Sequence, residues 1–258
     1  MPLMTLPTTS SGWRPAPPDP VLAEGDVHVW AISLESGPGA LQRHFETIAP
    51  DERERAARFI FDVHRHRYVT CRGTVRRVLA GYLRVRAEDL VFVVSPLGKP
   101  ALASLFSDSG IHFNVSHSEN MALVAVTRIG PVGVDVELVR QVKEMDHLVK
   151  RFFSLRENER FQKLAEAEKP SAFFNLWTRK EALLKATGVG ITKLSTVEVS
   201  FLPGEDARVL AFEGDPEKAR QWQLEDCAPA PGYAGAVAIR APGMNVRCWT
   251  TANLTPSA

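Results

Sequence analysis

The segment Val132-Gly133-Val134-Asp135-Val136-Glu137-Leu138 decides how this chain is interpreted. Its alternation predicts a β-strand, in which successive side chains point to opposite faces. Asp135 and Glu137 then share one face, while Val134 and Val136 point to the other face, into a core. Two neighbouring carboxylates raise each other's pKa unless a cation lies between them.

A third carboxylate, Glu181, lies in the helical segment Trp177-Thr178-Arg179-Lys180-Glu181-Ala182 and could complete the set from another direction. Three oxygen ligands suit a hard divalent cation, Mg²⁺ before Zn²⁺, with water and substrate phosphate in the remaining positions. Taken alone, a D-x-E pattern is more often a solvated strand edge beside a surface helix. The neighbouring segments decide between these two interpretations.

The composition is that of an ordinary globular protein, with 258 residues, 45% hydrophobic residues and a formal net charge of +1. The length allows one large domain or two small ones. A net charge near zero gives no general electrostatic case for nucleic acid or membrane binding. No apolar run reaches the roughly 18 residues of a membrane span. Three widely spaced cysteines predict neither a disulfide framework nor a zinc site, which favours a reducing cytoplasm.

The charge is nevertheless uneven along the chain. A solvated helix face and an anion or phosphate patch both explain a local excess of arginine. Nucleic acid is a weaker third interpretation, because no aromatic-interleaved motif accompanies the arginines. The ten arginines concerned are Arg53, Arg55, Arg58, Arg65, Arg67, Arg72, Arg76, Arg77, Arg84 and Arg86.

The N-terminal stretch Met1–Pro20 contains several prolines and serines and lacks a charged start followed by an apolar run. It is therefore not expected to be a signal peptide. We expect a flexible tail over residues 1–20.

Hydrophobic periodicity predicts an α+β fold of two similar halves, residues 21–130 and 131–258, with a ligand site between them. Helices are expected from 50 to about 60 with Asp51 as a cap, and over 63–83. Further helices are expected over 145–168 with a break near Ser154, and over 171–187 with Ser171 as a cap and Gly188 after the end. Strands are expected over 26–32, 90–94, 111–116, 122–126, 132–138, 196–201, 207–212, 221–225, 233–239 and 245–250, with a turn over 95–100.

Five segments, taken in order, resemble the 4′-phosphopantetheinyl transferases of the Sfp-like type over roughly residues 45–200. Each segment is weak evidence alone, but their order and separations leave little room for chance. The segments are Gly98-Lys99-Pro100, Phe113-Asn114-Val115-Ser116-His117-Ser118, Gly133-Val134-Asp135-Val136-Glu137, Lys150-Arg151-Phe152-Phe153-Ser154 and Trp177-Thr178-Arg179-Lys180-Glu181-Ala182-Leu183-Leu184-Lys185.

The resemblance implies a monomeric, cytoplasmic enzyme with two similar α+β halves packed around an interface active site. Such an enzyme moves the phosphopantetheine arm of coenzyme A to a serine of an acyl, peptidyl or aryl carrier protein and releases adenosine 3′,5′-bisphosphate. Two alternatives stay open: a metal-dependent phosphohydrolase or nucleotidyl transferase, and a coenzyme A or carrier-protein binding module without turnover. Neither nucleic acid nor membrane is an expected partner.

The resemblance also implies roles for individual residues. Asp135, Glu137 and Glu181 would hold Mg²⁺, with Mn²⁺ as a substitute. Glu181 would remove the proton of the carrier serine, directly or through a metal-bound water, and Lys185 would stabilise the leaving group. The expected ligands of coenzyme A are Arg55, Arg67, Lys99, Pro100, Ser116 and His117.

Three further expectations concern individual positions. Glu52 lies where some family members carry a lysine, so a weaker coenzyme A contact or a shift of that contact to Arg53 is expected. Lys180 is expected to be structural or solvent-facing. Ser116 and His117 are adjacent on a strand and point to opposite faces, so they are not expected to form a hydrolase dyad.

Overall fold

The computed structural model describes residues 12–17, 19–95 and 98–251. The helices are α1 (Pro38–Thr47), α2 (Pro50–Ala57), α3 (Asp62–Leu83), α4 (Met145–Phe152), α5 (Leu155–Phe161), α6 (Lys169–Thr187) and α7 (Pro216–Ala219). The strands are β1 (Arg14–Pro15), β2 (Asp26–Ser33), β3 (Phe92–Val94), β4 (Pro100–Leu102), β5 (His112–Ser118), β6 (Met121–Thr127), β7 (Val132–Leu138), β8 (Val197–Val199), β9 (Val209–Phe212), β10 (Gln223–Asp226), β11 (Tyr233–Ile239) and β12 (Asn245–Thr250).

The predicted α+β fold of two similar halves is confirmed by the strand topology. In the first half, β5 pairs with β6 and β6 pairs with β2, all antiparallel. In the second half, β10 pairs with β11 and β11 pairs with β7, again all antiparallel. Each half also contains one long helix between its first strand and its last two strands, α3 in the first and α6 in the second. The same unit therefore occurs twice along the chain.

Each long helix covers one sheet, and a third apolar cluster joins the two sheets. On β6, Val124 and Val126 pack in the cluster that contains α3, whereas Leu123 and Ala125 pack in the joining cluster. The alternation follows from the two-residue repeat of a strand, and it makes β6 apolar on both faces. On β7, Val134 and Val136 belong to the joining cluster. Asp135 and Glu137 therefore face away from it, as the sequence pattern predicts.

The two ends of the described chain cross the proposed division at residue 130. Strand β12 lies in the sheet of the first half, parallel to β2, with Cys248 opposite Val29. Strand β1 extends this sheet by pairing with β12, and Trp13 Nε1 donates to Ala228 O at 2.7 Å. The prediction of a flexible tail over 1–20 is therefore wrong for residues 13–16, whose partners are too distant in sequence to be predicted. Residues 1–11 and 18 lie outside the described residues.

Two predicted helix caps are wrong, although the helices themselves form. Helix α2 begins one residue before Asp51, and the side chain of Glu52 accepts from Ala49 N at 2.9 Å. Helix α6 begins at Lys169, so Ser171 lies inside its first turn. The predicted break near Ser154 is confirmed, because Ser154 Oγ accepts from Glu157 N and caps α5. In the predicted turn over 95–100, Gly98 has a φ of 81° and donates to Ser95 O, and residues 96 and 97 lie outside the described residues.

Helix α1 and strand β4 were not expected from the sequence. Within the described part of the chain, no helix combines the length and apolarity that a bilayer crossing requires.

Candidate active site

The candidate site lies where the two halves meet, between β5, β7 and α6. Among the described strands, β7 pairs with β11 along one edge only, so its other edge presents backbone groups without a strand partner. Side chains of β5, and not a neighbouring strand, supply hydrogen-bond partners to that edge. Asn114 Oδ1 accepts from Val134 N at 2.9 Å, and Ser118 Oγ accepts from Leu138 N at 3.2 Å. Because buried backbone groups need partners, these side chains fix the second half against the first.

A glycine brings α6 unusually close to β7. A Cβ atom added at Gly133 would lie 1.9 Å from Ala182 O and 2.5 Å from Ala186 N. Only a residue without a side chain allows the helix backbone to lie directly on the strand. Glu181 and Lys185, one helical turn apart, flank this contact. The approach places both side chains at the face of β7 that carries Asp135.

Asp135 is buried and forms an ion pair with Lys185. Lys185 Nζ donates to Asp135 Oδ1 at 2.6 Å and to Ser116 Oγ at 3.0 Å. Ser116 in turn donates its proton to Asp135 Oδ1 at 2.7 Å. The second oxygen, Asp135 Oδ2, is buried and has no hydrogen-bond partner among the described residues.

Glu137 lies beside Asp135 at the rim of the site. Its Oε2 accepts from Ser118 Oγ at 2.7 Å, and Arg140 Nη1 lies 3.9 Å from the same oxygen. Burial raises the pKa of Glu137, and the Asp135 carboxylate raises it further against the Ser118 hydrogen bond.

Glu181 is 8% exposed, and its Oε1 has no hydrogen-bond partner within the described chain. Burial, together with the negative charges of Asp135 and Glu137, raises the pKa of Glu181 to about 7, and Lys185 opposes the shift. A buried carboxylate with a raised pKa near two others marks an excess of negative charge at one place. Such a place suits a cation or a proton transfer.

The three predicted metal ligands differ in how well they suit a divalent cation. As they stand, no three acidic, histidine or cysteine side chains of the described chain are grouped closely enough to hold a metal ion. Two of the three predicted ligands nevertheless each carry a buried oxygen without a partner, Asp135 Oδ2 and Glu181 Oε1. All donors are carboxylate oxygens, the set that Mg²⁺ prefers. Donor type and free lone pairs therefore fit a hard cation, and Lys185 supplies the positive charge at Asp135.

A second cluster, which is cationic, surrounds His117. The pKa of His117 is lowered by partial desolvation and by the positive charges of Lys185, Arg55 and Arg67. Arg67 donates to Glu119 Oε2 at 3.1 Å and to Asn120 Oδ1 at 2.5 Å, so it lies beside the turn after β5. Three cationic side chains near enough to lower the pKa of one imidazole favour an anion at this place.

The remaining predicted coenzyme A ligands have different surroundings. Lys99 Nζ donates to Lys185 O at 2.5 Å and lies 3.4 Å from Val132 O, so it bonds to the backbones of α6 and β7. Burial and the charge of Lys185 lower the pKa of Lys99. Pro100 is the first residue of β4 and is opposite Val94 in the hairpin. Ser116 and His117 point in opposite directions, one buried and one exposed, as expected for neighbours on a strand.

Three charged residues near the site have partners within the protein. Glu52 is buried and accepts from Arg72 Nε and Arg76 Nε, both at 2.6 Å, so it stabilises the α2–α3 packing. Arg53 donates from its guanidinium to Ile48 O and Glu46 O, and the expected shift of a coenzyme A contact to this residue stays a prediction. Of the two roles expected for Lys180, structural or solvent-facing, the structure shows the first, since the side chain is fully buried and paired with Glu157.

Sequence reasoning missed Asn114, Ser118 and Gly133 as residues that shape the site. A signal for the first two existed, because Asn114, Ser116 and Ser118 are polar residues at every second position of a strand. Gly133 stood within the quoted segment, but only the position of α6 shows why a side chain is excluded there.

Two family models match the chain. The model of the 4′-phosphopantetheinyl transferase superfamily matches residues 131–238, and the model "4′-phosphopantetheinyl transferase, N-terminal" matches residues 35–128. Their boundaries fall close to the junction of the two repeated units.

Several curated proteins are similar to the chain. The 4′-phosphopantetheinyl transferase HetI of Nostoc sp. is 39% identical over 92% of this chain and 97% of its own length. The 4′-phosphopantetheinyl transferase Sfp of Bacillus subtilis is 29% identical over 58% of this chain and 65% of its own length. The L-aminoadipate-semialdehyde dehydrogenase-phosphopantetheinyl transferase of Mus musculus is 27% identical over 76% of this chain and 68% of its own length.

Proposed function

Because the chain belongs to the 4′-phosphopantetheinyl transferase superfamily and is a transferase enzyme, we propose that its donor is coenzyme A and its acceptor a serine of an apo carrier protein. The carrier is of the acyl, peptidyl or aryl type, and the by-product is adenosine 3′,5′-bisphosphate. We further propose that the enzyme acts in the cytoplasm as a monomer, since one chain supplies both sides of the site.

One observation supports this proposal most strongly. Asp135, Glu181 and Lys185 meet at the junction of the halves, and two buried carboxylate oxygens there have no partner among the described residues. Adjacent to them lies the cationic surface of His117, Arg55 and Arg67. A phosphate-rich donor requires this combination, an anion-binding surface beside a site that activates a hydroxyl.

Different residues of the chain bind different parts of coenzyme A. Arg55, Arg67 and His117 bind the 3′-phosphate of coenzyme A, and charge-assisted hydrogen bonds of this kind contribute about 1.5–3 kcal/mol each. Lys99 and Pro100 contribute to the pocket for the adenine and the phosphates. The anionic donor is thereby held with its pyrophosphate toward Lys185.

The reaction is a displacement at phosphorus. The carrier serine oxygen forms a bond to the β-phosphorus of coenzyme A, and the bond from that phosphorus to the bridging oxygen breaks. The serine proton passes to the Glu181 carboxylate, and the electron pair of the broken bond leaves with adenosine 3′,5′-bisphosphate. Lys185, an ammonium group within reach of this centre, stabilises the charge on the leaving oxygen.

Asp135, Glu137 and Glu181 would hold Mg²⁺, or Mn²⁺ in its place. When bound, the ion supplies charge neutralisation at the pyrophosphate and orientation of the bond that breaks. The partnerless oxygens of Asp135 and Glu181 are the atoms available to it.

Intact-mass analysis of an apo carrier protein incubated with the enzyme, coenzyme A and Mg²⁺ tests the proposal. We expect a metal-dependent gain of about 340 Da, one phosphopantetheine, on the carrier. Loss of coenzyme A without carrier modification would favour a phosphohydrolase. Binding of coenzyme A without any turnover, across fatty-acid, polyketide and peptide carriers, would favour a binding module.

A further inference from the structure

One face of β5 carries three polar side chains at every second position, Asn114, Ser116 and Ser118, and all three are buried. The residues of a strand that share a face are separated by two, so this set presents one polar row toward β7. Buried polar groups are retained where they have hydrogen-bond partners. The partners of this row are the backbone and the carboxylates of β7.

The contacts follow the two strands in register. Asn114 Oδ1 accepts from the backbone of β7 at Val134. Ser116 donates to Asp135 Oδ1 at 2.7 Å, and Ser118 donates to Glu137 Oε2 at 2.7 Å.

A serine hydroxyl has one proton, and in both residues that proton is donated to a carboxylate of β7. Each hydroxyl also accepts one hydrogen bond, Ser116 from Lys185 Nζ at 3.0 Å and Ser118 from Leu138 N at 3.2 Å. Neither hydroxyl then has a proton left for a phosphate oxygen. This geometry differs from the role of coenzyme A ligand that the family resemblance implies for Ser116.

We propose that Ser116 and Ser118 are positioning residues for the two strand carboxylates. Each hydroxyl selects one carboxylate oxygen as its acceptor and so orients the carboxylate plane. For Asp135 the unselected oxygen is the buried, partnerless Oδ2. The row thus directs ligand oxygens toward a divalent cation before any cation arrives. The inference rests on the proposed function, because that function requires the cation.

Ser118→Ala and Ser118→Thr test the inference, with Ser104→Ala, at an exposed serine, as the matched control. Mn²⁺ binding is measured from the loss of its free-ion electron paramagnetic resonance signal, and the KM for coenzyme A is measured at saturating Mg²⁺. We expect Ser118→Ala to raise the Kd for Mn²⁺ about 10–100-fold, as outer partners of metal ligands do. The KM for coenzyme A should be unchanged, Ser118→Thr should restore the wild-type Kd, and Ser104→Ala should behave as wild type.

An unchanged Kd for Mn²⁺ together with a raised KM for coenzyme A would overturn the inference, because the hydroxyl would then bind nucleotide. Should Ser118→Ala fail to fold, as judged by circular dichroism, Ser116→Ala and Ser116→Thr carry the same comparison. A wild-type protein that modifies no carrier would refute the proposed substrates. If Ser118→Ala still raised the Kd for Mn²⁺ relative to that wild-type protein, the positioning role would stand.

Discussion

Replacing Gly133 by alanine perturbs the contact on which the geometry of the site depends. The new Cβ would lie 1.9 Å from Ala182 O, whereas ordinary contact begins at 3.4 Å. The difference, 3.4 − 1.9 = 1.5 Å, is the distance by which α6 and β7 must separate. No rotamer change relieves the overlap, since the atoms that meet the methyl group belong to the helix backbone.

The separation would move Glu181 and Lys185 relative to β7. Lys185 Nζ lies 2.6 Å from Asp135 Oδ1, so a shift of this size removes the hydrogen bond. A misplacement of about 1 Å costs about 100-fold in rate. Overpacking of a tight interior contact costs about 1–3 kcal/mol of folding stability. We therefore expect Gly133→Ala to fold with reduced stability and to lose about 100-fold in kcat.

The assay is the initial rate of carrier modification by intact mass, combined with urea unfolding of the same preparation. Gly81→Ala is the matched control, because a Cβ at Gly81 in α3 meets no atom within 4 Å. It should stabilise the protein by up to about 1 kcal/mol through helix propensity and leave kcat unchanged. A Gly133→Ala variant with wild-type stability and wild-type kcat would refute the reasoning.

Three further outcomes are expected. Burial lowers the pKa of His28 from 6.5 to about 4, so its contribution to stability is complete above pH 6.5 and decreases as the pH falls toward 4. Urea unfolding across this range should show a loss of about 3 kcal/mol from this residue, and His28→Gln should flatten the profile. Glu52→Ala leaves two arginines of α3 without their buried partner and should lower the free energy of unfolding by about 3–5 kcal/mol. Glu54→Ala, on the exposed face of α2, should lower it little. Equal losses in the two variants would contradict the buried network. Arg67→Ala should raise the KM for coenzyme A about 10-fold. Arg65 pairs with the surface residue Asp62, so Arg65→Ala should leave the KM unchanged. Steady-state kinetics of both variants test whether the surface around His117 binds coenzyme A.

Much of the fold could be predicted because its main elements carry strong local patterns. Strand β7 has the bounds that alternation predicts, and α3 begins one residue before its predicted start. Helix α1 was missed because Gly37, Pro38 and Gly39 suggest a loop, and His44 is the only buried residue in that helix. Strand β1 was missed because its two residues, one of them proline, form a strand only through pairing with β12.

The candidate site, like the fold, could be predicted only in part from the sequence. The sequence pattern predicted which face of β7 carries the acidic side chains, and the structure brings Asp135, Glu181 and Lys185 together. It could not predict that Ser116 and Ser118 bond to carboxylates 19 residues further along the chain. Nor could it predict that Glu52 is a buried structural anion. These facts depend on long-range packing, which spacing along one segment does not encode.

The placement of β12 has a consequence for the order in which the protein is made. Residues 245–250 complete the sheet that residues 26–33 begin, and this pairing spans almost the whole chain. A ribosome synthesising the protein exposes β2 long before its parallel neighbour exists, so that side of β2 stays open while the second half is translated. Long-range pairing of this kind is slow, because a large loop must close first. Truncation before residue 245 is therefore expected to damage the first half of the molecule as well as the second.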